Sequence, residues 1–294
     1  MNPPVLPDYA ELHCLSNFSF QRGASHPWEL VERAVQRGYA ALALTDECSV
    51  AGVVRAHMHA KAQGLRLIVG SEFLWGPLRI VALARDVQGW GDLCEFITAA
   101  RKDAPKGSYR VDDASPFALL RGCELLLAPR RGAPAADGVS RDPVSAARQC
   151  PANVAHAVSL LAPKGQRSHL WLAVELHQEP DDGLWLDPLQ RIGTQQGLPL
   201  VAAGDMNMHR PTRKPLQDVI TAIRTGQPVA ECGWALQPNS ERHLRHRLRL
   251  AGLYPPHMLA ATLQVAQRCT FQLDEICYRY PLETVLPGMT VSSG

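Results

Sequence analysis

Residues 41–52 read ALALTDECSVAG, an apolar run that stops abruptly at an acid pair, Asp46 and Glu47. A run of Ala and Leu bounded by polar residues fits a buried strand covered on both faces, and the turn after such a strand is where α/β enzymes gather their chemistry. The same design recurs outward from this stretch. Residues 9–13 end in His13, 67–73 pass through Glu72, 170–177 carry Glu175 and His177, and 200–209 run through Asp205. Five apolar segments each deliver an acid or a histidine near the C-terminal end, which is how a barrel of parallel strands builds one site at one rim.

Helical patterns separate the strands. Pro27, with Ser25 or His26 near the cap, opens a helix whose apolar positions Leu30, Val31, Ala34 and Val35 recur with helical spacing, and Gly38 stops it. Residues 50–63 form the next helix, 65–73 and 78–84 are strands, 89–102 a helix, 115–120 a short helix and 124–128 a strand. Residues 129–143, PRRGAPAADGVSRDP, read as a surface loop carrying Arg130, Arg131 and Arg141. The pattern resumes with helix 144–161, strand 170–177, helix 184–197, strand 198–204 and the amphipathic segment 213–224, which ends at Gly226. Such alternation argues for a parallel sheet or barrel. Beyond it, 227–240 offers no strand, while 241–250 and 258–268 read as helices. The expected organisation is therefore an α/β barrel over 1–226 with a helical appendage over 227–294.

Composition limits the function classes. With 294 residues, 46% of them hydrophobic, the chain can bury one large core. A net charge of +2 is too mild to indicate a nucleic-acid partner by itself. The eight cysteines are scattered without a C-x-x-C pair, as in reduced cytoplasmic proteins. No apolar run approaches the ~20 residues that span a bilayer, and residues 1–13 have no signal-peptide pattern, so a cytoplasmic, non-membrane protein is expected.

His13, Asp46, Glu72 and Asp205, on four strand ends, form a fragment of the His and acid cage that holds divalent metals for phosphate-ester hydrolysis. Taken singly, each has a plain alternative: a hydrogen-bonded core histidine, a helix cap, two loop acids.

The segments YAELHCLSNFSFQRGASHPWELVERAVQRGYAALALTDECSVAGVVRAH and LRLIVGSEF resemble the opening of bacterial DnaE-type polymerases, especially the error-prone branch called ImuC. VAAGDMNMHRPTRKPLQDVITAIRTG and RCTFQLDEICYRYPLETVLPG extend the resemblance to essentially all of the chain. The resemblance implies a PHP (polymerase and histidinol phosphatase) domain, a distorted (β/α)7 barrel with a trinuclear metal rim in active members. It also implies a parent DNA-directed DNA polymerase acting in damage-induced mutagenesis and translesion synthesis.

Against the active pattern, LHCLS keeps His13 but has Leu15 for the second histidine, and TDEC keeps Asp46 but has Glu47 in the histidine's place. Glu72 of GSEF matches, and Asp205 is followed by Asn207 where histidine is expected, with His209 two residues on. Neutral imidazoles are replaced by an aliphatic group, a carboxylate and an amide, and neither Leu15 nor Asn207 suits a tight transition-metal site. The expectation is a remnant site of His13, Asp46, Glu72 and Asp205 with no catalytic residue and no cofactor. Mn or Zn is what a surviving site would hold, and Mg belongs to a polymerase palm that would follow this chain. No Asp-x-Asp carboxylate cluster is present to do polymerase chemistry. The expected role is structural, packed against the palm and other domains of the polymerase, which would bring DNA. A surviving phosphoesterase or 3′–5′ exonuclease, with His177 or His209 completing the metal set, is one alternative. A docking module for mutasome partners, an inactive Y-family-like protein or the sliding clamp, is another.

Overall fold

The computed structural model describes residues 6–131, 143–163 and 165–276. Seven strands form one sheet in chain order: β1 (Ala10–Glu11), β2 (Ala41–Leu44), β3 (Arg66–Trp75), β4 (Leu78–Ala84), β5 (Cys123–Pro129), β6 (Leu170–Glu175) and β7 (Leu200–Ala203). Their near-continuous burial fits the unbroken apolar runs of the sequence, because helices cover the outer face while the inner face closes on itself. The helices are α1 (Pro27–Arg37), α2 (Val53–Gln63), α3 (Val87–Lys102), α4 (Pro143–Leu161), α5 (Asp182–Gln196), α6 (Lys214–Thr225), α7 (Arg247–Leu253) and α8 (Pro256–Arg268).

Helix α1 shows how the local signals act. Pro27 occupies its first turn, the Glu29 carboxylate accepts from the His26 backbone N–H at 2.9 Å, and the helix ends on Gly38 at φ 65°, a left-handed conformation that glycine adopts without strain. Its buried face is Leu30, Val31 and Ala34, as the spacing predicts.

The sheet is not wholly parallel. β4 runs antiparallel to both β3 and β5, while the remaining pairs are parallel. Only Gly76 and Pro77 separate β3 from β4, a connection far too short for a parallel crossover, so the chain turns back on itself. This reversal sets the site. Period-two alternation sends Ile68, Gly70 and Glu72 of β3 inward, and likewise Trp171, Ala173 and Glu175 of β6. On β4 the inward set starts with Arg79, opposite Leu74 in the ladder. A residue near the beginning of β4 therefore stands at the same rim as residues near the ends of β3, β6 and β7.

The barrel is nearly closed. Between β1 and β7 only an isolated bridge, Cys14 to Met206, spans the gap. The segment after Gly226, expected as an appendage, supplies α8, which packs against β7 and β1. Ala261, Val265, Ala266 and Cys269 join Ala10, Leu12, Val201 and Ala203 in one buried cluster, and Thr262 Oγ1 accepts from the Ala10 N–H at 3.2 Å. The expected helix at 241–250 is corrected: only α7 is helical there, and the residues before it are not. His243 bridges Met208, and Arg245 is fully buried, donating to the Leu176 carbonyl at 2.8 Å. Tertiary hydrogen bonds outweigh the helix propensity of this Arg- and Leu-rich stretch. The expected short helix at 115–120 is a 3-10 turn, Phe117–Gly122. In the predicted loop, residues 132–142, including Arg141, lie outside the described residues. Arg131 pairs with Asp182 at 2.6 Å and lies over the Trp185 ring, leaving it poorly placed to meet a phosphate backbone.

Because α8 fills the seam of the barrel, Val265→Ala should destabilise the chain by about 2 kcal/mol through lost burial and a residual cavity, with the urea midpoint reduced and the slope unchanged.

Candidate functional site

At the rim, His13 stands between two carboxylates. Its Nε2 is 2.6 Å from Oε2 of Glu72 and its Nδ1 is 2.7 Å from Oε1 of Glu175, with His13 and Glu72 fully buried. Asp205 lies beside them, Oδ1 4.0 Å from Nε2. Ligand atoms of His13, Glu72 and Asp205 all fall within 4.8 Å of one another. Asp205 follows β7 at φ 46°, a left-handed conformation uncommon for a non-glycine residue and tolerated where surrounding structure imposes it.

Three arginines enter this cluster. Arg79 Nη1 donates to Asp205 at 2.6 Å while its Nη2 donates to Glu175 at 2.9 Å. Arg22, from the loop after β1, bonds Glu72 and reaches Glu47 at 2.6 Å. Arg242, from the non-helical segment before α7, bonds Asp205. Tyr109 OH donates to Glu47 at 2.8 Å. Four carboxylates thus face three guanidiniums and one imidazole, and a protonated His13 brings the named charges to balance.

The titration shifts follow from this packing. With a carboxylate oxygen 2.7 Å from Nδ1 and another 2.6 Å from Nε2, both ring nitrogens of His13 donate. Burial by itself disfavours its protonation, yet the bonds to Glu175 and Glu72 prevail and raise its pKa. For Glu72, burial acts upward, but the Arg22 charge and the His13 bond hold it far below the usual carboxylate range. For Glu175 burial again acts upward and Arg79 and His13 prevail in the same way.

The other predicted residues lie elsewhere. Asp46 is outside the cluster: it accepts from Ser16 N at 2.8 Å, Ser16 Oγ at 2.7 Å and Ser19 Oγ at 2.7 Å, which ties the loop after β1 to the end of β2. Burial raises its pKa against those bonds. Leu15 is fully buried and Asn207 nearly so. His209 turns away to Ser25, whose Oγ is 2.8 Å from its Nδ1. His177 is 2.9 Å from the Gly204 carbonyl and is pushed well below 6.5, first by burial and then by Arg242 and Arg245.

A divalent cation needs a neutral imidazole and free carboxylate lone pairs. Here His13 presents protons to two acids, and Glu72, Glu175 and Asp205 each already accept from a guanidinium. The donor set as arranged does not fit a metal, and no reaction step is derived through one.

A nearly closed seven-stranded α/β barrel with an acid and histidine rim defines the class of protein. Residues 11–135 match the model of the PHP domain family. Along 98% of its length it is similar to proteins named error-prone DNA polymerase, 50% identical to that of Dechloromonas aromatica and 47% to that of Bordetella parapertussis. The chain spans 27% of the length of each of these relatives. Among solved structures, an amidohydrolase from Chromobacterium violaceum aligns with TM-score 0.43 and 16% identity over 68% of this chain and 88% of that one. Among the described residues no helix is long and apolar enough to cross a membrane, and the seven described cysteines are free.

The arginines and Glu175 complete what sequence reasoning began. Glu175 was visible as an acid at a strand end. Arg79 had one signal, a cation inside the apolar run LRIVALA, but a parallel sheet would place it at the opposite rim.

Two measurements check the cluster. Arg79→Met leaves two buried carboxylates without their shared countercharge and should cost about 3–5 kcal/mol at neutral pH, partly recovered below pH 4.5 as the acids protonate. In an NMR titration, His13 should stay protonated above pH 6.5 and His177 stay neutral below it. By linkage, the His13 contribution to stability is full below pH 6.5 and lost as pH rises through its raised pKa, whereas that of His177 is full above pH 6.5 and lost as pH falls.

Proposed function

We propose that this chain is the N-terminal PHP domain of an error-prone DNA-directed DNA polymerase, acting in damage-induced mutagenesis and translesion synthesis, and that its role there is structural. The observation that carries the reading is the occupation of the rim: Glu72, Glu175 and Asp205 are each bonded to arginine, and Asp46 is taken up by Ser16 and Ser19. Three guanidiniums supply fixed positive charge where active barrels of this kind use metal ions, so the rim is held together without hydrolytic chemistry. The residues His13, Asp46, Glu72 and Asp205 are then a remnant of a metal site, with no catalytic residue among them.

The relatives' names and lengths support the parent activity, since 27% coverage leaves most of such a polymerase to other domains. In this reading the strands and crossover helices end near residue 226, and 227–294, besides supplying α8 to the seam, connects the barrel toward a palm, with DNA, the Mg of that palm and the mutasome partners met by the larger protein in the cytoplasm. Elemental mass spectrometry after incubation with Mn or Zn and desalting tests the closed rim. Less than about 0.1 equivalent is expected, because filling the site requires breaking buried ion pairs worth several kcal/mol. Two or three equivalents, lost in Asp205→Asn, would overturn it in favour of a phosphoesterase.

A further inference from the structure

Helix α6 is amphipathic in sequence, yet it turns its apolar stripe outward. Leu216, Val219 and Ile223, at i, i+3 and i+7, are 40%, 46% and 62% exposed, while its buried positions are Gln217, Thr221 and Ala222. The next segment adds Val229 and Trp234, the latter 76% exposed. Five large apolar residues, each at least 40% exposed, thus fall within 19 positions of chain, and apolar surface gathered in this way marks interaction sites. An amphipathic helix owes its stability to the burial of its apolar face, and here the barrel does not supply that burial.

We infer that the outer face of α6, with Val229 and Trp234, is the surface by which this domain docks on the body of the polymerase. The inference rests on the reading given under Proposed function. Two observations choose the occupant. The relatives of this chain are error-prone polymerases of which it makes up 27%, so a domain of this kind has a large neighbour in the same protein. The stripe is also basic at both ends, with Arg210, Arg213 and Lys214 at one and Arg224 at the other. Arg213 is bonded to Glu29 and Lys214 to Asp218, whereas among the described residues the guanidinium groups of Arg210 and Arg224 form no ion pair. Two copies paired antiparallel through this face would set arginine against arginine, which disfavours a second copy. The matching surface is an apolar groove with an acidic edge, into which α6 lies as a helix in a groove and Trp234 acts as the anchor.

The test uses the full-length polymerase with Val219→Glu plus Ile223→Glu, and separately Trp234→Ala. These side chains are exposed in this chain, so the melting temperature of residues 1–294 alone should not change. In the polymerase, proteolytic release of the domain should speed up about tenfold and primer extension should fall, as expected for loss of interface residues worth more than about 1 kcal/mol each. Unchanged proteolysis and extension in both variants would overturn the inference. A polymerase lacking residues 1–294 separates the two failures. If that deletion is harmful while the α6 variants are silent, only the docking face is wrong. If the deletion leaves stability and extension intact, the structural role itself fails. A concentration-dependent dimer of residues 1–294, split by the same variants, would assign the face to a second copy and likewise overturn the inference.

Discussion

Charge neutrality inside a low-dielectric rim is the constraint on which the rest of this structure depends. Removing a carboxylate from water costs several kcal/mol even after relaxation, and Glu72, Glu175 and Asp205 are all nearly or wholly buried at one end of the barrel. Only nearby positive charge with good geometry offsets that cost. Arg79 meets the requirement for two acids at once, because its planar guanidinium presents separate nitrogens to Glu175 and Asp205. His13 links the remaining acid to Glu175, and Arg22 joins Glu72 to Glu47.

That requirement explains otherwise odd backbone choices. The reversal at Gly76 and Pro77 brings Arg79 to the acid rim. The loop after β1 must be fixed for Arg22 to reach inward, and the three hydrogen bonds from Ser16 and Ser19 to Asp46 fix it. An acid whose sequence position suggested ligation thus acts as a loop clamp. The segment before α7 forgoes helix for the same kind of reason, because Arg242 reaches Asp205 and Arg245 reaches the Leu176 carbonyl only from an unwound backbone. At the seam between β1 and β7, α8 supplies small and branched side chains where a neighbouring strand would otherwise be needed.

The rim satisfies its own charges, whereas the outside of the barrel carries apolar side chains in solvent. On α6 the apolar residues Leu216, Val219 and Ile223 face solvent while Gln217 and Thr221 are inside.

Most of the fold was legible in the sequence. All seven strands and the crossover helices followed from apolar runs, helical spacing and the stops at Gly38 and Gly226, since burial on both faces and left-handed caps leave local marks. His13, Glu72 and Asp205 were legible as rim residues for the same reason, and the replacements at Leu15, Glu47 and Asn207 already spoke against a complete metal cage. What the sequence left open depends on direction and distance between segments. The conversion of Asp46 to a clamp, the turning of His209 toward Ser25 and the arrival of Arg22, Arg79 and Arg242 at the acids are decided by contacts between residues 25 to 184 positions apart. Local propensity cannot encode which cation meets which buried acid. Only the tertiary structure settles that, because the energy of a buried charge is set by the partner it finds across the barrel rather than by its neighbours in the chain.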